Sequence, residues 1–517
     1  MLPQWLEAPA PVFAAMLPAA WIARVDPAVA VVCAHVDALS LRTAQAVESD
    51  PPLDPEIVRA LFAMGLFSLT VPAEQHGMNA SLRDFVVAME HVGRLGPAYA
   101  MTAVPHLCIS VKSVAKLCGP LARQKVLQGI LDDERLVAFA ISEDNGSDVA
   151  ALTTRVTRRA DGRLVLNGRK QWITNLSRAQ HIVVVALCPS LHPAPGAAVM
   201  VLVRADQPGV NVSKPWDKLC ANGSDTADLF FDGVEIAEEQ ILGAPGHGMK
   251  LFHELVQPGR LGAAAAAAGM AHAALRSALN DTHGPLQAAE AEELSIILDV
   301  LGAALRSCAA LGDAGHPDFA ALTALVKHGC STLAQSVVNR IDHGYAVHGR
   351  SSPPAVQRVR EAIGLFRLLK GPGEVIAQQA LLAWSARIRV GFVAPRSWPR
   401  EVRLALRLVT RAYAQLGQQG GPAAHPAAAL SLADLSSRAW LVISAAQLGE
   451  DGARRLAPAR AKRCQRWAWR HFCELAREHH SLSAPQSAVL NELYVKLRDA
   501  ARTDSFSSMG SRELAWI

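Results

Sequence analysis

The chain has 517 residues, of which half are hydrophobic and 19% are charged, and its formal net charge is +5. This length exceeds that of a single-core domain and predicts two to four domains. The apolar content excludes a largely disordered chain, and the small, dispersed charge argues against a nucleic-acid-binding protein. The nine cysteines are scattered without a CxxC pair, which favours reduced thiols in the cytoplasm and no zinc or disulfide framework. The N-terminus has no basic segment before a clean apolar run, so we expect no signal peptide and no membrane span.

Helical patterns dominate the first part of the chain. Apolar residues recur at helical spacing from Val31 to Val47, and Asp54 then precedes Pro55 as an N-cap before a proline in the first turn. Helices are predicted near 54–64, 80–93, 98–118 and 121–130. We therefore interpret residues 1–134 as an N-terminal helical domain.

A central β domain is predicted from about residue 135 to residue 243. An apolar run ends in the polar segment Ser142 to Asp148, and alternating segments follow, broken by the turn signal Asp161-Gly162. Segments with a period of two residues between Gly, Asp and Asn clusters are typical of antiparallel strands. The predicted strands cover 137–141, 153–158, 163–166, 181–188, 198–204 and 228–236.

The rest of the chain again has helical periodicity. Long helices are predicted near 249–280, 287–313, 319–346 and 355–388, and a Pro/Trp cluster at 394–399 marks a boundary. The alanine-rich run 261–275 contains His272 and predicts a buried helix rather than a membrane span. The fold class is therefore α+β and mostly α. It comprises an N-terminal helical domain (1–134), a central antiparallel β domain (135–243), a C-terminal four-helix bundle (244–393) and an additional C-terminal helical domain (394–517).

Five segments together resemble the acyl-CoA dehydrogenase flavoproteins over about residues 40–390. They read MGLFSLTVP (64–72), FAISEDNGSD (139–148), GRKQWITN (168–175), SDTADLFFDGVEI (224–236) and GRLGAAAAAAGMAHAAL (259–275), in the family's order and spacing. Members with a C-terminal helical extension, of the very-long-chain type, resemble the chain most. The resemblance implies a flavin-dependent α,β-dehydrogenation of an acyl thioester carried by coenzyme A or by an acyl-carrier protein.

The resemblance also implies which residues contact the cofactor, FAD. The positions that correspond to contacts with the isoalloxazine ring are Phe139, Ser142, Gly146, Ser147, Trp172 and Thr174. A flavin ring needs donors at its polar edge, a hydroxyl near N5 and an apolar face that keeps water out, and these residue types supply them. Arg260 corresponds to an arginine near the CoA end of the substrate; a solvent-exposed arginine at the start of a helix is the alternative.

The catalytic base that the resemblance leads us to expect is missing from both of its positions. The family's base is a glutamate near the end of the second helical block, where this chain has Lys370. Some members carry it just before Arg260, where this chain has Gly259. A lysine is protonated at neutral pH unless it is strongly desolvated, so the base is unknown. Glu374 lies one helical turn after Lys370, and we expect it to pair with that lysine rather than to act as the base.

Two segments that correspond to the family's pyrophosphate contacts also differ. In the family a neighbouring subunit supplies Arg-x-x-Phe-Gly and Gln-x-x-Gly-Gly elements, which correspond here to Asn280–Gly284 and His343–Val347. A pyrophosphate needs cations or N–H donors, and glycine lets the backbone approach it closely. These differences weaken the prediction of a complete FAD site formed by two copies of this chain.

Three functions therefore stay open. The first is a dehydrogenase with a nonstandard base, the second a non-catalytic or repurposed subunit that pairs with another chain, and the third a flavin monooxygenase-type relative without the base. We expect a homodimer or a hetero-oligomer, no metal and no nucleic acid. Residues 454–470 combine seven basic residues with Trp467 and Trp469. This pattern predicts either peripheral contact with an anionic membrane or a solvated helix face on a cytoplasmic protein.

Overall fold

The computed structural model describes residues 25–44, 52–146, 149, 151–317, 319–369, 405, 409, 426–451 and 458–480. The chain divides into two compact units. The first unit is formed by Arg24–Leu286 and Ala334–Pro372, and the second by Met1–Ala23, Gln287–Leu333 and Gly373–Ile517. The four ranges that the sequence suggests as domains remain a prediction.

Helices form the N-terminal part of the first unit. They are α1 Pro27–Ala44, α2 Pro55–Ala63, α3 Leu82–Leu95, α4 Pro97–Pro105, α5 Val111–Leu117 and α6 Pro120–Asp132, with 3₁₀ turns at Leu66–Ser68 and Ala73–Gln75. The predicted N-cap at Asp54 is confirmed, because its carboxylate accepts the backbone N–H groups of Glu56 and Ile57.

A π-helical turn, His106–Ser110, separates α4 from α5. Pro105 lacks the N–H that the α-helical ladder requires, and the helix widens directly after it. The buried imidazole of His106 accepts the N–H of Val137 at Nδ1, at 3.0 Å, and donates from Nε2 to the carbonyl of Phe67 at 2.9 Å. Burial lowers the pKa of His106 to about 4, so the ring is neutral at neutral pH. One side chain thus joins the helical part of this unit to its first strand.

An eight-stranded sheet follows the helices. Its strands are β1 Leu136–Ala140, β2 Arg155–Arg158, β3 Leu164–Thr174, β4 Ala179–Leu187, β5 Ala198–Arg204, β6 Val210–Val212, β7 Thr226–Ile236 and β8 Ile241–Leu242. Their order is β6-β7-β3-β2-β4-β5-β8, with β1 also paired to β4. The pairing is antiparallel as predicted, except that β1 and β2 each run parallel to β4. Parallel neighbours need long connections, and the segments that lead from these strands to β4 provide them.

Helices also complete the first unit. They are α7 Gly248–Asn280, the second part of α9 Phe319–Val347, and α10 Pro354–Leu368. The alanine-rich run lies within α7 and is buried, as predicted. Two glycines bring α3 and α7 together: a Cβ at Gly269 would lie 1.8 Å from the carbonyl oxygen of Glu90, and a Cβ at Gly93 would lie 2.2 Å from that of Ala266. This close approach requires glycine at both positions.

The second unit contains α8 Ala288–Asp313, the first part of α9, α11 Pro426–Asp451 and α12 Pro458–His480. Buried polar contacts join these helices. The indole N–H of Trp440 donates to the carbonyl of Ala304 at 3.0 Å, and Nε2 of His328 lies 2.6 Å from the carboxylate of Asp434. The predicted boundary at 394–399 lies outside the described residues.

The last helix, α12, has an apolar buried face and a basic exposed face. The buried face consists of Ala461, Cys464, Ala468, Trp469 and Phe472. The exposed basic residues are Lys462, Arg466 and Arg470. Two further cations pair with α8, Arg460 with Asp299 at 2.6 Å and Arg463 with Glu292 at 2.8 Å. The tryptophan at 469 is therefore a core residue, and Arg454 and Arg455 lie outside the described residues.

Two described helices, α1 and α8, are long and apolar enough to cross a membrane by length and composition. In α8, 83% of the apolar stretch is buried within the protein, which is typical of a core helix, whereas in α1 the buried share is 28%. The expected lack of a membrane span stays a prediction. The chain is mostly helical with a central sheet and additional C-terminal helices, so the predicted fold class is confirmed.

Candidate functional site

The segment between β1 and β2 carries three predicted cofactor contacts, Ser142, Gly146 and Ser147. It forms a tight turn in which the N–H of Gly146 donates to the carbonyl of Glu143 at 2.9 Å. Gly146 has a φ of +62°, so the position favours glycine for its conformation, and no described atom lies within 4 Å of a Cβ built there. The carbonyl of Ser142 accepts the N–H of Gln171 on β3 at 2.9 Å. Ser142 and Gly146 are half-buried, and Ser147 lies outside the described residues.

A buried ion pair lies beside this turn. Lys170 on β3 is fully buried, and its Nζ donates to Oε1 of Glu143 at 2.7 Å and to the carbonyl of Ile141 at 3.1 Å. The Glu143 carboxylate also accepts the N–H and the hydroxyl of Thr153, each at 2.6 Å, and the N–H of Thr154 at 3.1 Å. Burial acts to raise the pKa of Glu143, but these donors outweigh it and lower the pKa to about 2. Burial lowers the pKa of Lys170 to about 8, so both groups are charged at neutral pH.

Trp172 occupies a bulge in β3. The register between β3 and β7 shifts between Lys170 and Ile173, and Trp172 has a φ of +55°, which is rare for a bulky side chain. Its side chain is 48% exposed. A large aromatic surface is thus available beside the turn, because the neighbouring Gln171 bonds to Ser142.

A second buried carboxylate, Asp228 on β7, holds this bulge. Its carboxylate accepts hydrogen bonds from Nη2 of Arg169 at 2.7 Å, from the indole N–H of Trp216 at 2.9 Å and from the backbone N–H of Trp172. Burial acts to raise the pKa of Asp228, but the three donors outweigh it, and the pKa lies below its usual range. The guanidinium of Arg169 also lies over the ring of Phe230, 5.4 Å from its centroid.

The end of β3 is tied to α4. Thr174 is half-buried and pairs with Thr226 of β7. Asn175 is buried with a φ of +73°, and its Nδ2 donates to the carbonyl of Thr102 at 3.0 Å. Its Oδ1 is buried and has no hydrogen-bond partner among the described residues. A buried amide oxygen without a donor indicates a place for a water molecule or a ligand group.

Two predicted residues lie near α7. Phe139 of β1 stacks on Phe252, with ring centroids 6.0 Å apart and an interplanar angle of 20°. Arg260 is buried, and its Nη1 donates to Oε1 of Gln257 at 3.1 Å. Burial lowers the pKa of Arg260 to about 10, which leaves it charged at neutral pH. Arg260 is therefore not a solvent-exposed arginine, and the preceding Gly259 is buried as well.

Four predicted contacts lie in the turn after β1 and in the second half of β3, two segments that are joined by the hydrogen bond from the N–H of Gln171 to the carbonyl of Ser142. We call this the turn–bulge surface; it consists of Ser142, Gly146, Trp172 and Thr174. Lys370, the residue at the expected base position, lies outside the described residues. Glu143, Lys170, Asp228 and Asn175 were not singled out from the sequence. Each lies within or beside a quoted motif, but their partners are distant, as with Glu143 and Lys170, which are 27 residues apart.

The two segments that differ from the family's pyrophosphate elements meet within the first unit. The hydroxyl of Tyr345 donates to Oδ2 of Asp281 at 3.0 Å. Arg350 lies 3.7 Å from the same carboxylate, faces the Tyr345 ring and donates to the carbonyl of His283. A Cβ at Gly284 would lie 2.9 Å from the Tyr345 hydroxyl. The polar groups of these segments thus bond to one another.

Side chains that commonly bind metals do not cluster in the part of the chain that the structure describes. No group of three or more His, Cys, Asp or Glu side chains there could hold a metal ion. The eight cysteines whose side chains the structure describes are buried and form no disulfide.

Comparisons with known proteins address the same regions. The models for the N-terminal domain and the middle domain of acyl-CoA dehydrogenase match residues 30–134 and 138–234. The very long-chain specific acyl-CoA dehydrogenase of Mus musculus mitochondria is 28% identical over 342 residues, which are 63% of this chain and 52% of that protein. The chain thus spans about half the length of the very-long-chain relatives that it matches.

Solved structures resemble a larger share of the chain. An acyl-CoA dehydrogenase from Bacillus anthracis, complexed with FAD, superposes with a TM-score of 0.74 at 18% identity and covers 94% of this chain and 90% of its own. The prolyl acyl carrier protein oxidase AnaB superposes with a TM-score of 0.60 at 17% identity and covers 69% of this chain and 99% of its own. At these identities the likeness concerns the fold alone.

Proposed function

The chain carries the N-terminal and middle domains of the acyl-CoA dehydrogenases, and from this premise we propose that it is a flavin-dependent oxidoreductase. Its reaction would be oxidation of the CH–CH bond α,β to a thioester on coenzyme A or on an acyl-carrier protein. The turn–bulge surface is the observation that supports this most. A bound FAD would accept a hydride from the β carbon of the substrate.

The turn–bulge surface has the chemistry that a flavin ring needs. Ser142 and Thr174 are half-buried residues that carry hydroxyls, and Trp172 is an exposed aromatic residue. The buried Oδ1 of Asn175 is an acceptor without a donor among the described residues. Hydroxyl donors, an aromatic wall and a fixed backbone would bind the ring and exclude water from one of its faces.

The phosphate half of FAD fits less well. Where the family has cationic and glycine-rich contacts, this chain places the carboxylate of Asp281, which would repel a phosphate. The nearby cation, Arg350, already contacts Asp281, the Tyr345 ring and the His283 carbonyl. This disagreement favours the alternative of a subunit that completes its cofactor site with a different, related chain, and we propose a hetero-oligomer beside the homodimer.

The proton on the α carbon needs a base, and the buried carboxylates beside the turn–bulge surface are unsuited to that role. Glu143 and Asp228 both have lowered pKa values and bond to several donors each. A base of such low proton affinity that is already engaged removes a proton poorly. Gly259 offers no side chain, so the reaction would be slow unless Lys370 or another chain supplies the base.

Flavin binding tests the proposal directly. The purified chain would be reconstituted with FAD, and separately with FMN, and its absorbance near 450 nm recorded after removal of free flavin. A bound flavin that is bleached anaerobically by an acyl-CoA or an acyl-carrier thioester supports the dehydrogenase, and the two thioesters distinguish the carriers. If the chain binds neither flavin but binds a related dehydrogenase chain, the non-catalytic subunit becomes the better explanation. Oxygen uptake with reduced flavin, without thioester oxidation, would point to the monooxygenase-type relative.

Lys370→Glu places a carboxylate at the expected base position. A positioned base contributes about 10²–10⁴ in rate, so we expect turnover of acyl-CoA to rise by that factor. Lys370→Gln is the matched control, since it removes the positive charge without adding a base. Equal activity of the two variants would contradict the view that the chain lacks only its base.

We propose a cytoplasmic location with peripheral contact to anionic membranes through α12. Lys462, Arg466 and Arg470 form an exposed stripe spaced by four residues, whereas the apolar face of α12 is buried within the protein. Binding would therefore be electrostatic and weak at high salt. Co-sedimentation with anionic but not neutral vesicles, lost on Arg466→Glu, is the expected result.

A further inference from the structure

We infer that the Lys170–Glu143 ion pair is a positioning element that sets the shape of the turn after β1 before any cofactor binds. The inference rests on the proposed function, because the turn it shapes forms half of the turn–bulge surface. Neither Lys170 nor Glu143 is proposed to react with the substrate or the cofactor.

The pair contacts the turn at its beginning and at its middle. Nζ of Lys170 donates to the carbonyl of Ile141, where the chain leaves β1, and to the carboxylate of Glu143, two residues later. Ser142 lies between these two points, and its carbonyl accepts the N–H of Gln171. A single lysine on β3 and its neighbour thus fix three successive residues of the turn.

The same pair also contacts the chain where it returns to the sheet. The Glu143 carboxylate accepts both the N–H and the hydroxyl of Thr153 and the N–H of Thr154. Thr154 packs against Gly168 of β3, where a Cβ would lie 2.6 Å from the Thr154 Cα. The carboxylate therefore joins both ends of the segment that connects β1 to β2.

The energetics of buried charge support a positioning role over a purely stabilising one. Both side chains are buried, Lys170 completely and Glu143 to 5% exposure. A buried ion pair often adds little net stability over apolar residues of the same volume, because the cost of removing both charges from water offsets their attraction. Removal of one partner, however, leaves a buried charge without its counter-ion. The pair thus penalises any conformation of the turn in which these contacts are broken.

A preset turn matters for binding a planar ring. Donors and hydroxyls that are already in place lose little conformational entropy when a ligand binds. Here Ser142 precedes Glu143 in the chain and the left-handed Gly146 follows it, and the N–H of Gly146 donates to the Glu143 carbonyl. A loosened turn would weaken flavin binding without changing the surrounding strands.

The test compares Glu143→Gln and Lys170→Met with a control at the residue directly before the same strand. Glu143→Gln keeps the volume and an amide oxygen that can still accept from Nζ of Lys170, so it is the milder change and remains informative if Lys170→Met does not fold. The control is Arg163→Gln, which breaks a pair with Glu235 of similar length, 2.7 Å, on the exposed surface between β3 and β7.

Hydrogen exchange of the flavin-free protein is the first measurement, followed by flavin affinity. We expect faster exchange in residues 141–155 of both variants, unchanged exchange in β4 and β5, and a flavin dissociation constant raised at least about tenfold relative to Arg163→Gln. Unchanged exchange at 141–155, or equal loss across the whole sheet, would overturn the inference. If the wild-type chain binds no flavin, the proposed function fails, while the exchange result still decides whether the pair sets the turn.

Discussion

Gly269→Ala is expected to destabilise the first unit through one added methyl group. The new Cβ would lie 1.8 Å from the carbonyl oxygen of Glu90, 2.8 Å from its carbonyl carbon and 3.1 Å from the Cα of Gly93. All three atoms belong to the backbone of α3, so no side chain can move aside. The helices must separate, and the neighbouring contact of Gly93 with Ala266 must open with them.

Two opposing terms set the size of this effect. Overpacking of this kind costs about 1–3 kcal/mol or more, and alanine returns up to about 1 kcal/mol through its higher helix propensity. Because the new methyl group meets only backbone atoms, the overpacking cost lies at the upper end, about 3 kcal/mol, and the net loss is about 2 kcal/mol. At about 2–4 °C per kcal/mol for a large domain, the melting temperature should fall by roughly 4–8 °C.

The matched control is Gly364→Ala within α10. A Cβ there would be 3.7 Å from the nearest atom, Nε2 of Gln335, which is an ordinary contact. This variant should gain up to about 1 kcal/mol from helix propensity alone. Thermal and urea unfolding of both variants would measure the difference. If Gly269→Ala were as stable as Gly364→Ala, the close approach of α3 and α7 would be wrong.

Two further changes test the N-cap of α2 and the buried histidine. Asp54→Ala removes the acceptor for the N–H groups of Glu56 and Ile57 and should lower the free energy of unfolding by about 1 kcal/mol. Asp54→Asn should keep most of the cap. Equal melting temperatures for the two variants would contradict this expectation. His106 has its pKa lowered to about 4 in the folded chain against 6.5 in the unfolded chain, so unfolding takes up a proton between these values and stability falls as the pH falls from 6.5 towards 4. His106→Asn should reduce the slope of unfolding free energy against pH by up to about 1.4 kcal/mol per pH unit, measured by urea titration between pH 7 and 4.5. An unchanged slope would show that another group, such as His181, dominates.

The helices were readable from the sequence because their signals are local. Capping residues, prolines and a period of 3.6 residues mark their ends, and α7, α8 and α9 begin and end within a residue or two of the predicted positions. The extent of the strands was harder to predict from the sequence. A strand was predicted only for 163–166, whereas β3 extends over Leu164–Thr174. Its polar half did not alternate with apolar residues, because Lys170 and Gln171 bond to the turn after β1 instead of facing a hydrophobic core.

The residue types of the candidate site could be predicted from the sequence, but the contacts that hold those residues in place could not. Trp172 and Thr174 were identified through their resemblance to a family motif, and a turn after β1 could be expected from its Asp, Asn and Gly content. The contacts of Asp228 with Trp172 and Trp216 could not be expected, since they depend on the bulge in β3. Pairings between distant segments are set by the packed sheet, and a single sequence does not encode them in any local pattern.

The position of His106 has a consequence for how the fold can be observed. Its Nδ1 must lack a proton to accept the Val137 N–H, and its Nε2 must carry one to donate to Phe67, so a single neutral tautomer satisfies both contacts. An unfolded chain averages the two neutral tautomers of this ring, whereas the assembled helix, π-turn and first strand hold the ring in one of them. Nitrogen-15 resonances of this imidazole would report the docking of β1 onto the helices, residue-specifically and in real time, during refolding.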